Sequence, residues 1–193
     1  MKIFLIKDFE SIKSKITKEH KKQILDIVNK LKRTDLLKYD EKKIMKIYSE
    51  NIELESVNYV PVSNDLNDKN SLYSAISILL FGDEMNYNHI RLSIVYMLLK
   101  NEDYKKKFKD QKTFESLVEK IVITGFHSEF DFPVVANLLD RTLKIYKWKN
   151  YTEPPEIYHP DLLQNETKNV NNRDPLIIVK KNNHFIPLLK KEN

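Results

Sequence analysis

Asp68-Lys69-Asn70-Ser71-Leu72-Tyr73-Ser74-Ala75-Ile76-Ser77-Ile78-Leu79-Leu80-Phe81-Gly82 is the stretch on which the fold turns. Leu72, Ala75, Ile76, Leu79 and Leu80 recur at helical spacing, and Gly82 is a natural C-terminal stop. The segment is nearly apolar all round, so it is expected to be a buried central helix. A polar run, 63–70, rich in Asn and Asp, leads into it. Ser71 therefore stands at a helix N-terminus, where free backbone N–H groups and the helix dipole favour a developing anion. Serine is also a preferred helix cap there and needs no catalytic role for that.

Outward from this helix, residues 9–31 place Phe9, Ile12, Ile16, Ile24, Ile27, Val28 and Leu31 on one helical face. A second helix is expected over about 41–49, with Ile44, Met45 and Ile47 inward. The segment 52–62 alternates and reads as one extended run. Downstream, helices are expected over 87–100 and 114–121, a turn over 125–131, and a helix starting near Pro133. Residues 143–148 read as a strand and 149–173 as loop or insertion. Residues 175–181 and 184–191 read as strands joined by a hairpin turn at Asn182-Asn183. Helices first and strands last point to an α+β domain.

The 193 residues suit one unit with a full core. No apolar run is long enough to span a bilayer, and the N-terminus, broken by Lys7 and Asp8, lacks the pattern of a secretory signal. Neither a membrane partner nor export is expected, and a cytoplasmic location is, in the cell of origin or after delivery into a host. The net charge of +5 is spread among interleaved acids, which argues against a nucleic-acid partner. With no cysteine, disulfides, thiolate zinc sites and thiol catalysis are excluded. The histidines show no metal-binding spacing, so neither a metal nor a cofactor is expected. Only Gly82 and Gly125 are glycines, so each is expected at a special backbone position.

His184 opens the last strand, where it can act as a general base if the fold brings it beside Ser71. Taken together, the two segments resemble the OTU family of papain-like, ubiquitin-cleaving cysteine proteases. That family opens its central helix with Asp-Gly-Asn-Cys-Leu-Phe and an Ala shortly after. Here Asp68, Asn70, Leu72 and Ala75 match, and Tyr73 keeps the aromatic. The family's final strand begins with His and an aromatic residue, as in His184-Phe185. Asn88-His89-Ile90-Arg91, the turn at Gly125-Phe126-His127-Ser128, the helix with Val135, Ala136, Leu138 and Leu139, and the strand at Leu143–Tyr146 follow in the family's order. The resemblance covers about residues 57–190.

The resemblance implies an α+β, papain-like fold with a small central sheet flanked by helices. Residues 57–193 would form the domain and 1–56 a helical extension packed on it. It implies a monomer with ubiquitin or a ubiquitin-like protein as partner. Ser71 would hold the nucleophile position and His184 the general base. Lys69 and Asn70 would belong to the oxyanion loop, and His127 and Phe185 to the substrate-binding surface. The family orients its histidine with an Asp or Asn two residues on, where this chain has Ile186, or with an upstream acid. Asp65, Asp68, Glu53 and Glu55 are the upstream candidates, and Asp68 is carried as the catalytic acid. Asn183 would point to the other face of its strand. Lys69 stands where the family has glycine. A hydroxyl is far less acidic than a thiol, so little or no hydrolysis is expected of Ser71. Two origins for it stay open: an engineered Cys→Ser change, or a natural pseudoenzyme that binds without cleaving.

Overall fold

The computed structural model describes residues 18–40, 47–48, 50–64, 69–108, 110–125, 127–128, 131–160 and 173–191. In chain order its elements are α1 (Lys18–Arg33), β1 (Ile52–Leu54), β2 (Val57–Pro61), α2 (Ser71–Phe81), α3 (Tyr87–Lys100), α4 (Glu102–Lys106) and α5 (Gln111–Thr124). There follow α6 (Asp131–Leu139), β3 (Leu143–Lys147), β4 (Glu156–Tyr158), β5 (Leu176–Lys181) and β6 (His184–Lys190). The strands form one sheet in the order β1-β2-β6-β5-β3-β4. Only β3 and β5 run parallel; every other neighbouring pair is antiparallel. This is the α+β arrangement expected, with helices packed on the sheet.

Helix α2 lies at the centre. Every residue from Ser71 to Leu80 is buried, which accounts for its lack of a polar face. It packs on β6 and α3, while α1 covers α3 and α6. Val28 and Leu31 of α1 are buried, whereas Phe9, Ile12 and Ile16 lie outside the described residues. The sheet is apolar on both faces. Leu176, Ile178, Phe185 and Leu189 face the helical core, and Ile177, Val179, Ile186 and Leu188 face a second cluster with Ile52, Leu54 and Tyr146. Strand β5 therefore reads as a continuous Leu-Ile-Ile-Val run instead of an alternating one.

Both glycines occupy the left-handed region. Gly82 (φ 84°) ends α2, its N–H bonded to the carbonyl of Ile78. Gly125 (φ 71°) ends α5 in the same way on Ile121. Asn182 (φ 56°) turns the β5–β6 hairpin, as expected of an Asn-Asn connection.

Several readings are corrected. The helix expected over 41–49 does not reach Ile47, which makes an isolated antiparallel bridge to Val62 and is 48% exposed; Ile44 and Met45 lie outside the described residues. Residues 52–62 are not one extended run but the β1–β2 hairpin. It turns at Glu55 (φ 51°) and Ser56 (φ 63°), two residues whose side chains gave no turn signal. The helix at 114–121 extends to Gln111–Thr124 because Asp110 caps it, accepting from the Thr113 N–H at 2.7 Å. The stretch 149–173 contains the short strand β4, paired with β3.

Candidate active site

Strand β2 pairs with β6 only as far as Pro61, with one further bond from the Val62 N–H to the Pro187 carbonyl. Beyond that point the β6 edge still carries the N–H and C=O of Phe185, and buried backbone groups must find partners. Two side chains supply them. The Phe185 N–H donates to Ser71 Oγ at 3.1 Å, and Asn64 Nδ2 donates to the Phe185 carbonyl at 2.9 Å. Asn64 Nδ2 also donates to the carbonyl of Ser71 at 3.2 Å. The chain leaving β2 and the first residue of α2 thus complete the β6 ladder with side-chain atoms.

That arrangement fixes His184. Since the Asn64 Nδ2 group faces two carbonyls, Oδ1 is the atom that meets His184 Nε2, at 2.7 Å. An amide oxygen only accepts, so Nε2 is the donor in this contact and carries a proton. Asn64 is buried and tethered three ways, so the ring is held by a fixed group. The sequence reading missed Asn64. It stands at the exit of β2, seven residues before Ser71, and nothing in its sequence neighbourhood set it apart from the other polar residues of 63–70. Of the acids weighed instead, Glu55 is engaged with Lys144 Nζ (2.6 Å) and the Tyr146 hydroxyl (3.1 Å). Glu53 lies on edge strand β1, with β2 between it and β6. Asp65 and Asp68 lie outside the described residues. Ile186 is fully buried in the second apolar cluster.

Ser71 is fully buried. It is the first residue of α2 rather than its cap. Asn70 takes the cap position with no side-chain cap bond, and the Asn70 carbonyl accepts from Ser74 N–H at 3.0 Å. The Asn70 side chain turns the other way: Oδ1 accepts from Arg91 Nη1 at 3.2 Å. Lys69 is exposed, and its carbonyl lies 3.4 Å from His127 Nδ1. The His127 ring stands edge-on to Phe185 with centroids 4.8 Å apart, and Phe132 closes the inner side at 5.8 Å. Phe185 itself is fully buried, so of this aromatic pair His127 is the member that reaches solvent.

Beneath this layer sits a buried carboxyl. Asp131, at the start of α6, accepts from Ser128 N–H at 3.0 Å and from the Tyr73 hydroxyl at 3.4 Å, both on Oδ2. Burial pushes its pKa up to about 7 against those hydrogen bonds, and raises the Tyr73 hydroxyl well above its ordinary value. The turn carrying His127 is thereby tied to the helix that starts at Ser71. Among the described residues no group of His, Asp and Glu is arranged to hold a metal ion, and no helix is long and apolar enough to cross a membrane.

The chain is similar to solved OTU domains. The viral OTU domain protease from Dera Ghazi Khan virus matches 84% of this chain and 98% of its own, with a TM-score of 0.55 and 13% identity. The Hazara virus OTU, solved bound to ubiquitin, matches 84% and 99%, with a TM-score of 0.53 and 10% identity. The OTUD1 OTU domain matches 66% and 83%, with a TM-score of 0.51 and 15% identity. No family model matches the sequence, and no curated protein is similar to it.

Proposed function

The chain has the OTU fold, and from that premise we propose that it is a ubiquitin-directed OTU-type domain held inactive by Ser71. Ser71 occupies the nucleophile position, His184 is the general base, and Asn64 orients that base. Lys69 and Asn70 form the loop that faces the oxyanion, and His127 lies over the channel for the C-terminal tail of ubiquitin or a ubiquitin-like protein. Asp68 remains the acid of the motif, with no role assigned beyond that loop. The domain acts as a monomer in a cytoplasm, and α1 and β1, from the first 56 residues, contribute to its two apolar clusters.

The observation that carries this reading is the Asn64 carboxamide, which joins His184 to the backbone of Ser71 and Phe185. A thiol at position 71 would lie at the start of α2, where the helix terminus favours a thiolate, with His184 as the base that takes its proton. The serine hydroxyl has no such acidity. It also accepts from the Phe185 amide and is closed off from solvent, so it serves as a strut between α2 and β6. Binding without cleavage follows for the chain as it stands.

The test is Ser71→Cys treated with ubiquitin carrying a C-terminal electrophile, with intact mass as readout. The unaltered chain is expected to give no adduct. Ser71→Cys is expected to give one, and Ser71→Cys/His184→Ala to lose it or form it far more slowly. A folded Ser71→Cys that stays unlabelled would refute the catalytic ancestry of the site for ubiquitin.

A further inference from the structure

The side chain of Asn70 rests in a recess that exists because residue 125 is glycine: a Cβ there would lie 2.0 Å from Asn70 Oδ1. Arg91 holds it in that recess. One arm of the guanidinium donates to Asn70 Oδ1 (3.2 Å), the other to Asn88 Oδ1 (2.8 Å), and its plane lies over the Tyr87 ring, 5.8 Å from the centroid. The third donor, Nε, is buried and has no hydrogen-bond partner among the described residues. Burial pulls the pKa of this guanidinium down.

A simple packing role explains part of this, since the fork staples α3 to the turn before α2. It does not explain the charge. Both acceptors are neutral amides, and no carboxylate faces Arg91 among the ion pairs of the described residues. A half-buried cation beside the positive end of an eleven-residue helix is electrostatically unfavourable unless negative charge comes to that end. The geometry points to Arg91 as a positioning residue for the loop that presents residue 71. It seats Asn70 against Gly125, which fixes the backbone amides ahead of α2, and it keeps a positive charge behind the point where a thiolate or oxyanion would form. This rests on the nucleophile position proposed for residue 71.

Because the chain has no cysteine, Ser71→Cys carries a single thiol, and its thiolate absorbance can be read as a difference from the unaltered chain. Among the described residues, the other titratable groups around this end of α2 are His184 on β6, Tyr73 on α2, Glu84, which accepts from the Ser74 hydroxyl, Tyr87 against Arg91 on α3, Asp131 at the start of α6, and Lys69 and His127. All are the same in every variant compared. Arg91→Met in the Ser71→Cys background is expected to raise the thiol midpoint by about one pH unit and to slow capture of the ubiquitin electrophile about tenfold. Arg91→Lys keeps the charge and reaches only one amide. It is expected to restore the midpoint while capture stays slow. A staple alone would lower the melting temperature and leave the midpoint in place.

A folded Arg91→Met variant with the midpoint and capture rate of Ser71→Cys overturns the proposal. Should Arg91→Met not fold, Arg91→Lys decides by its capture rate: slow capture supports the proposal, and unchanged capture overturns it. If Ser71→Cys is never captured but Arg91→Met still moves the midpoint, the ubiquitin reading fails and the role of Arg91 stands. If it is never captured and the midpoint does not move, both fail.

Discussion

Replacing Asp131 by asparagine should leave the protein about as stable as before near pH 4 and make it more stable above about pH 7. The carboxyl is fully buried and its folded pKa lies near 7, against an ordinary 3.8. Between those values the folded state holds a proton that the unfolded chain has released. The stabilising contribution of the neutral acid is therefore complete below the unfolded pKa and is lost as pH rises through the folded one. The difference of about three units corresponds to roughly 4 kcal/mol at most, accumulating at about 1.4 kcal/mol per pH unit across the window. Asparagine has nearly the same shape and no charge. Its Oδ1 can take the place of Oδ2 as acceptor for Ser128 N–H and the Tyr73 hydroxyl, and its Nδ2 can donate to Ser128 Oγ, now 3.4 Å from Oδ1. Urea denaturation of both proteins from about pH 4 to about pH 8.5 gives the difference directly, with every other titrating group cancelling. A difference that stays flat across that range, or in which the variant loses stability as pH rises, would refute the claim that desolvation dominates at Asp131.

Other substitutions separate strut from chemistry. Gly125→Ala must place a Cβ at φ 71° and 2.0 Å from Asn70, and is expected to cost about 3 kcal/mol; Gly82→Ala meets only the flexible Leu37 tip at 3.2 Å and should cost about half that in the same denaturation assay. Ser71→Ala leaves the buried Phe185 N–H without its acceptor and is expected to lower stability by about 1–2 kcal/mol. Asn64→Ala removes the Asn64 donor from the carbonyls of Phe185 and Ser71 and the Oδ1 partner from the His184 ring. It should destabilise by about 2–3 kcal/mol, and nitrogen NMR of the imidazole should change from a single Nε2–H tautomer to a mixture.

Much of this molecule is legible in the chain of residues alone. The apolar girth of 71–81 predicts a helix enclosed on all sides, and that is where α2 lies. Two glycines in 193 residues predict two special backbone positions, and both have positive φ. An Asn-Asn pair between apolar runs predicts a hairpin. These succeed because each depends on local backbone preference or on the periodicity of burial. The readings that failed depend on something else. The turn at Glu55-Ser56 bends because β1 and β2 pair there, against the preference of its own residues, and Ile47 is extended because Val62 lies beside it.

Asn64 shows the same limit at the site. Nothing in its sequence neighbourhood distinguishes it from the other polar residues of 63–70. Its role arises because β2 stops short of β6's end, leaving two backbone groups of Phe185 that one carboxamide and one hydroxyl satisfy. Residue types and their order determined the fold class and pointed to two members of the proposed site, Ser71 and His184. Which group orients the histidine, which arginine lies behind the helix, and which acid lies beneath it were decided by tertiary structure, because hydrogen bonds between residues far apart in the chain form only after the sheet and helices have set their distances.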